Sequence, residues 1–590
     1  MPKITFLPQN ITVEAKNSSP LLEAARAAGV SAETPCGGKG VCRKCGIKVV
    51  SGKIDVKSGS YRNNNALICQ SNVSDADAVI EILSGLYGEE GSFYDVSDIR
   101  ETSLNPPVKQ IEFTVSKPAP LDGLSDFDRL QKAFKSNVPL PVLQKLPEKL
   151  RENGGRINVV YHSRGNINNI IDIAGSGGMY GIAADIGTTT VTLWLVDLLT
   201  GAVVSRKTDY NAQIECGLDV ISRINCAQKN LAELQNRILG TVNNLTVAAA
   251  EETGIDRERI YCASVTGNTV MTHLFLGVCP EYIRLDPYTP AVFSVPEYTA
   301  AQTGLAINAN APVKFAPAVG SYVGGDVVAG ALCTPLADEN EGGIILFMDI
   351  GTNGEILLGS SEFILGCACS AGPAFEGGGL ECGMRASRGA IDNFKIGENG
   401  GVTINTIGGA PPAGICGSGI IAVVAEMKRA GVIDAAGRFS DAMPERIKKG
   451  AKPYKFYITE NITVSEADID NFIRAKGAVF SACRTLLNNT GLGFGDIEKI
   501  YIAGGFGRYL DIENAKTVGL LPNVANEKIV YLGNTSILGA YKTLLSEENE
   551  TLVKKTADRI TYIDLSSEPG YMDEYFAALF LPHTDAALFG

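Results

Sequence analysis

The sequence predicts an α/β multidomain protein: a small β-rich N-terminal domain, a linker, a small mixed α/β domain and a large duplicated α/β domain. Three observations predict it. Three cysteines, Cys36, Cys42 and Cys45, crowd one glycine-rich loop, and Cys69 follows. The tripeptide Asp-Ile-Gly recurs at 185–187 and 349–351, each time after an apolar run and before Thr. From about residue 180 onward, apolar strand-like runs alternate with amphipathic helical ones, the signature of layered α/β folds.

Residues 1–86 form the first unit. "KITFLPQN" and "ITVEAK" alternate like strands around a polar turn. "PLLEAARAAG" reads as a helix opened by proline and closed by glycine. "CGIKVVSG" and "AVIEIL" supply further strands. Residues 87–108 are polar and aperiodic, and read as a linker. Residues 109–178 hold the strand-like "KQIEFTVSKP", the helical 130–137 and 142–154, and the strand "RINVVYHS". Residues 179–590 repeat one pattern twice: strand, Asp-Ile-Gly-Thr turn, strand, short turn, strand. The first copy is "GIAADIG", "TLWLVDLLTG" and "AVVSRKTDY"; the second is "GIILFMDIG", "EILLGSS" and "EFILGC". A duplicated α/β lobe follows.

Composition narrows the function classes. The 590 residues exceed one hydrophobic core. A formal net charge of −13 argues against a nucleic-acid surface, which needs concentrated Lys and Arg. No apolar run reaches a membrane span, and "MPKITFLPQNITVE" lacks the layout of a signal peptide, so no membrane partner and a cytoplasmic location are expected. Fourteen cysteines in a long cytoplasmic chain favour metal ligation over disulfides, and only three histidines leave no multi-histidine metal site.

The cysteine spacing is C-x5-C-x2-C, then 23 residues, then C. Four thiolates on tight loops can hold two irons, and the glycines let backbone N–H groups reach the cluster sulfurs. A four-cysteine zinc site is the competing reading, but zinc ribbons normally pair two C-x2-C knuckles. The loop resembles that of the [2Fe–2S] ferredoxins, which implies a β-grasp fold with Cys36, Cys42, Cys45 and Cys69 as ligands.

A strand that ends in Asp and turns through Gly-Thr sets a carboxylate beside exposed backbone N–H and hydroxyl groups, which suits Mg²⁺ and a phosphate chain. The first such turn holds Asp185, Gly187, Thr188, Thr189 and Thr190; the second holds Asp349, Gly351, Thr352, Asn353 and Gly354. In "IYIAGGFGRYLD" a buried strand runs into Gly504 and Gly505, where missing side chains leave room for a purine. A plain Rossmann-like domain with two unrelated turns is the competing reading. Together the three elements resemble the ATPase superfamily of actin, sugar kinases and heat-shock chaperones. The resemblance covers residues 180–590 and implies ATP, with Mg²⁺ held by Asp185 and Asp349. Residues 414–427 resemble a helix connecting the lobes. Asp326 is the candidate to orient a water or deprotonate a hydroxyl, or else a helix cap; Glu355 is a second catalytic candidate. Cys367, Cys369, Cys382 and Cys416 read as core residues, with a second cluster as the alternative.

An electron carrier fused to an ATPase makes sense when an electron must go uphill from a cluster at roughly −400 mV. The whole chain, with "NAQIECGLDVISRI", "SVTGNTVMTHLFLG" and "CSAGPAFEGGGLECGMRASRGAI", resembles the reductive activators of corrinoid proteins. That resemblance implies ATP-dependent transfer of one electron from the [2Fe–2S] cluster to return cob(II)amide to cob(I)amide. It implies two partners, a corrinoid protein of a methyltransferase system and an upstream electron donor or reductase, and leaves a homodimer open. The alternative is an activator of 2-hydroxyacyl-CoA dehydratases, which shares the ATPase core but lacks a ferredoxin domain.

Overall fold

A computed structural model describes residues 1–7, 10–28, 30, 45–56, 65–82, 103–120, 122–152, 154–174, 177–217, 219–338, 342–351, 353–397, 399–448, 454–504 and 510–589. Cys36, Cys42, Thr352 and Gly505, and most of the segment read as linker, lie outside the described residues.

The N-terminal domain is a five-stranded sheet. Its order is Ile11–Glu14, Lys3–Leu7, Ser71–Ile82, Gly46–Val56, Asn65–Leu67. Lys3–Leu7 runs parallel to Ser71–Ile82; every other pair is antiparallel. The alternation in Lys3–Leu7 turns Ile4 and Phe6 into the core, where Leu21, Ala24 and Ala25 of the helix Leu21–Ala27 meet them. This sheet with a helix across it is the expected β-grasp.

The small middle domain is a four-stranded sheet ordered Val108–Thr114, Arg156–Arg164, Ile167–Ala174, Ser136–Asn137. Helices Asp126–Ala133 and Leu140–Glu152 bury Leu130, Val142 and Leu146 against one face. The strand Ile167–Ala174 was not legible in "INNIIDIA", whose polar pair Asn168–Asn169 breaks the alternation. Just before this sheet, Asn105 N–H donates to Leu545 O at 2.9 Å and Glu547 N–H donates to Asn105 O at 3.0 Å. The end of the segment read as linker is therefore paired to the large domain.

The large domain carries the duplication in its topology. The first sheet is ordered Val203–Tyr210, Thr190–Asp197, Tyr180–Ile186, Ile260–Gly267, Pro312–Phe315, Tyr298–Thr299. The second is Ile364–Cys369, Gly354–Gly359, Ile344–Ile350, Ile497–Ala503, Ile529–Gly533, with Ile560–Tyr562 beyond Ile364–Cys369. In each, three antiparallel strands are followed by two parallel ones. The central strands Tyr180–Ile186 and Ile344–Ile350 are buried nearly throughout, which explains their unbroken apolar runs.

The lobes are joined by two helices that exchange sides. Gly325–Ala331 follows the first sheet but packs Val327, Val328 and Ala331 on Ile345, Phe347 and Leu357 of the second. Thr535–Leu545 follows the second sheet but packs Ile537, Ala540 and Tyr541 on Ala183, Trp194 and Val196 of the first. They cross at glycine: a Cβ on Gly539 would stand 2.3 Å from Ala329 O, and one on Gly330 would stand 2.7 Å from Thr535 Oγ1. This corrects the expectation for residues 414–427. The helix there, Gly417–Arg429, is buried wholly within the second lobe, where Ile420, Ile421, Val423 and Val424 join its core. An apolar helix is equally suited to a core and to a lobe junction, so hydropathy did not separate them.

Candidate functional site

Asp185 stands one residue from the end of its strand, level with Thr192 on one side and Thr266 on the other. Its carboxylate accepts from Asn534 Nδ2 at 2.9 Å and Ser536 Oγ at 2.8 Å, both at the start of the second lobe's crossing helix. Ser536 Oγ also lies 2.9 Å from Thr266 Oγ1. Burial pushes the Asp185 carboxyl up, and these two donors oppose the rise. The turn after it is held by its carbonyls. Gly187 O accepts from Asn211 Nδ2 at 2.9 Å, Thr188 O from the buried Arg223 guanidinium, and Thr189 O from Asn211 N–H at 2.9 Å. Thr188 Oγ1 takes a bond from Asn268 Nδ2 at 3.1 Å. Gly187 is required, because a Cβ there would meet Thr190 O at 2.7 Å.

The second turn mirrors the first. Asp349 stands one residue from the end of the strand Ile344–Ile350 and faces Glu355 directly across the antiparallel pair. Gly351 N–H donates to Asn353 O at 2.8 Å and tightens the turn. The Asn353 side chain bonds the Glu355 carboxyl. A Cβ on Gly354 would meet Cys369 Sγ at 2.8 Å. Asp326 joins this group from the helix Gly325–Ala331. Gly324 occupies the cap position, so Asp326 is a first-turn residue, and its carboxylate accepts from Val327 N–H at 2.9 Å.

The half-buried Asp185, Asp326 and Asp349 and the buried Glu355 thus stand close enough to repel one another. Burial, with Asp185 adding repulsion, raises Asp326 to about 7. Burial and the charges of Asp326 and Asp185 raise Asp349 to about 8. Glu355 is pushed well above the carboxylate range by burial, then by Asp326 and Asp349. Carboxyl groups so arranged want a cation. Among the described residues no three or more His, Cys, Asp or Glu side chains are placed to enclose a metal directly. The cluster suits a hydrated ion carried in by a phosphate chain, as Mg²⁺ characteristically is.

Two contacts bridge the lobes over this cluster. Thr189 Oγ1, in the first turn, donates to Glu376 Oε2 at 3.4 Å. The other oxygen of Glu376 lies 3.5 Å from where a Cβ on Gly351 would be, so this carboxylate sits between both turns. Nearby, the Arg385 guanidinium lies 4.3 Å over the Tyr210 ring. The third expected element is described as far as Gly504, whose φ is +106°. A Cβ there would meet Ile350 O at 2.1 Å, so the second turn already occupies that space.

In the N-terminal domain, Cys45 Sγ and Cys69 Sγ approach to 3.1 Å. Two thiols this close, not joined to each other, are a donor pair that fits a shared cluster. The other singled-out cysteines do not converge. Cys367 and Cys369 are buried in the second lobe, Cys416 Sγ bonds Ile391 O at 3.2 Å, and Cys382 Sγ accepts from Thr463 N–H at 3.4 Å. Among the described residues they form no metal-holding group.

Asn534, Ser536 and Glu376 were missed. The signal for the first two was "YLGNTS", a strand end followed by an N-cap residue; the signal for Glu376 was its place in the glycine-rich "AGPAFEGGG".

Family models cover most of the chain. Residues 4–74 match a 2Fe-2S iron–sulfur cluster binding domain. Residues 97–177 match the RACo linker region, 180–339 the RACo middle region, and 343–590 the C-terminal ASKHA domain of RACo. A corrinoid activation enzyme, RamQ of Eubacterium limosum, is 32% identical over 568 residues, covering 92% of each chain. A Co(II) methylated-amine-specific corrinoid protein reductase of Methanosarcina barkeri is 26% identical over 418 residues, 65% of this chain and 73% of its own. The solved structure of a reductive activator for a corrinoid, iron–sulfur protein aligns over 100% of both chains, with TM-score 0.75 and 39% identity.

Proposed function

This chain belongs to the family of reductive activators of corrinoid proteins, and from that premise we propose that it uses ATP to return an inactive cob(II)amide protein to cob(I)amide. The observation that carries the reading is the pairing, in one chain, of a close thiol pair on a ferredoxin-like domain with a cluster of mutually repelling acids beside two Asp-Ile-Gly turns.

Cys45 and Cys69, with Cys36 and Cys42, would hold the [2Fe–2S] cluster, which supplies one electron at low potential when bound. Asp185 and Asp349 would hold Mg²⁺, directly or through water, and the ion would offset the repulsion that now raises the carboxyls. The turns Gly187–Thr190 and Gly351–Gly354 would bind the phosphate chain. Asp326 or Glu355 would orient the attacking water, and Asp326, held near neutrality, is the better proton acceptor. Asn534 and Ser536 keep Asp185 oriented. An upstream reductase would refill the cluster, and the corrinoid protein of a methyl-transfer system would receive the electron.

The test is optical. Reduced protein is mixed with a cob(II)amide protein, with and without Mg·ATP. The cob(I)amide spectrum should rise only with the nucleotide. No cob(I)amide under either condition would overturn the reading.

A further inference from the structure

The motif "NAQIECGLDVISRINC" holds a feature that nucleotide binding does not use: two cysteines ten positions apart. Cys216 closes the short helical turn Ala212–Cys216, and Cys226 lies in the long helix Val220–Thr253. Both are half-buried thiols, and both border the apolar core beneath the first sheet. The backbone brings them together. Gly217 backs onto the helix so closely that a Cβ there would meet Ser222 Cβ at 2.3 Å. Cys226 is one helical turn beyond Ser222 on the same face. Arg223 Nε ties the loop down by donating to Gly217 O at 3.2 Å. The Cys226 thiol lies near enough to Cys216 to act on it. Burial and this thiol neighbour push Cys216 up to about 11.

We propose that Cys216 and Cys226 form a reversible disulfide, a redox modification site whose oxidant is a low-molecular-weight disulfide. The Cys226 thiolate attacks the oxidant, forming a mixed disulfide and releasing one small thiol. Cys216 then attacks the Cys226 sulfur, closes the protein disulfide and releases the second small thiol. Two electrons and two protons pass from the protein dithiol to the oxidant. Burial holds Cys216 protonated, so the small thiolate released in the first step must take its proton before Cys216 can attack.

The site sits behind the first phosphate turn. The same loop and helix carry Asn211 and Arg223, whose bonds hold the carbonyls of Gly187, Thr188 and Thr189. Arg223 also donates to Gln213 Oε1 at 3.2 Å, so loop, helix and turn share one network. Drawing two thiols into an S–S bond of about 2.0 Å pulls the loop against the helix and shifts that grip. Oxidation therefore turns nucleotide turnover down, and stops ATP use when the surroundings are too oxidising for the cluster to stay reduced. This consequence rests on the nucleotide reading above; the disulfide itself does not.

The test uses the full chain. Lys207, Arg223 and Lys229 are tryptic sites, so Cys216 falls in peptide 208–223 and Cys226 in peptide 224–229. After treatment with glutathione disulfide, alkylation and digestion, the wild type should yield the two peptides cross-linked, and reductant should separate them. Turnover should fall about tenfold on oxidation and recover on reduction. Cys226→Ser, and independently Cys216→Ser, should lose the cross-link and keep turnover insensitive to the oxidant, with the cluster absorbance recorded in every sample. Full alkylation of both cysteines after oxidation would overturn the site. A cross-link with unchanged turnover would overturn the coupling. A reduced wild type that hydrolyses no ATP would overturn the nucleotide reading while leaving the cross-link test intact.

Discussion

Asp349 and Glu355 face each other across a single antiparallel pair, so two carboxyl groups share one face of the second sheet about 4.5–5.5 Å apart at Cβ. Like charges so placed oppose folding unless a proton or a cation separates them. Burial and mutual repulsion favour a proton there, which raises the Asp349 and Asp326 carboxyls.

That gives the first prediction. The folded state holds these protons to about pH 7–8, while the unfolded chain releases them near the ordinary aspartate value of 3.8. The folded protein therefore binds more protons, and this contribution to stability is full below pH 3.8 and lost as pH rises through about 8. Without nucleotide and Mg²⁺, Asp349→Asn should melt about 2 °C or more above wild type at pH 8, with the gap closing toward pH 5. The same variant should lose ATP turnover by about 100-fold. A lower melting temperature than wild type at pH 8 would count against the acid cluster.

Glu376 gives the second. Its carboxylate contacts Thr189 of the first turn and lies beside Gly351 of the second. A phosphate chain held by both turns must meet it. Glu376→Gln keeps the shape and removes the charge, and should lower turnover about tenfold or more while the [2Fe–2S] absorbance is unchanged. Turnover within twofold of wild type, measured by phosphate release, would remove Glu376 from the site.

The sequence carried the local parts of this site and not the long-range ones. Asp185 and Asp349 were legible because a buried strand that ends in Asp before Gly-Thr is a short pattern with a physical reason. The duplicated lobes followed from that pattern occurring twice. Asn534 was legible only as a helix N-cap, because its bond to Asp185 spans 349 positions and nothing local in "GNTS" requires it. The exchange of helices between lobes was hidden for the same reason. Gly325–Ala331 and Thr535–Leu545 are both largely apolar, and only packing shows which sheet they cover. Gly504 was legible as a glycine requirement, but the neighbour that enforces it is Ile350 O.

The crossing gives the third prediction. Gly539→Ala places a methyl 2.3 Å from Ala329 O, between two helices that each serve the opposite lobe. Neither backbone can yield without moving a sheet. The substitution should cost about 1–3 kcal/mol in urea unfolding. Turnover should change with it, because Asn534 and Ser536 at the start of the same helix hold Asp185. An unfolding midpoint equal to wild type would mean that the helices separate freely.

The fourth concerns coupling to the partner. The phosphate turns lie on different lobes, bridged by Thr189–Glu376 and joined through the two crossing helices. A nucleotide that touches both turns therefore favours one relation of the lobes, and any protein that docks on both favours one as well. When both ligands select the same relation, each strengthens the other by the same factor, since coupling between binding sites is reciprocal. The corrinoid protein in its cob(II)amide state should then raise the affinity for a non-hydrolysable ATP analogue about fivefold or more, and the analogue should raise affinity for that partner equally. A methylated partner, which has no electron to accept, should do so less. Titrating the full chain with the analogue, alone and with each partner state, reads all three values. Equal affinities in the three conditions would rule out coupling between nucleotide and partner through the lobes.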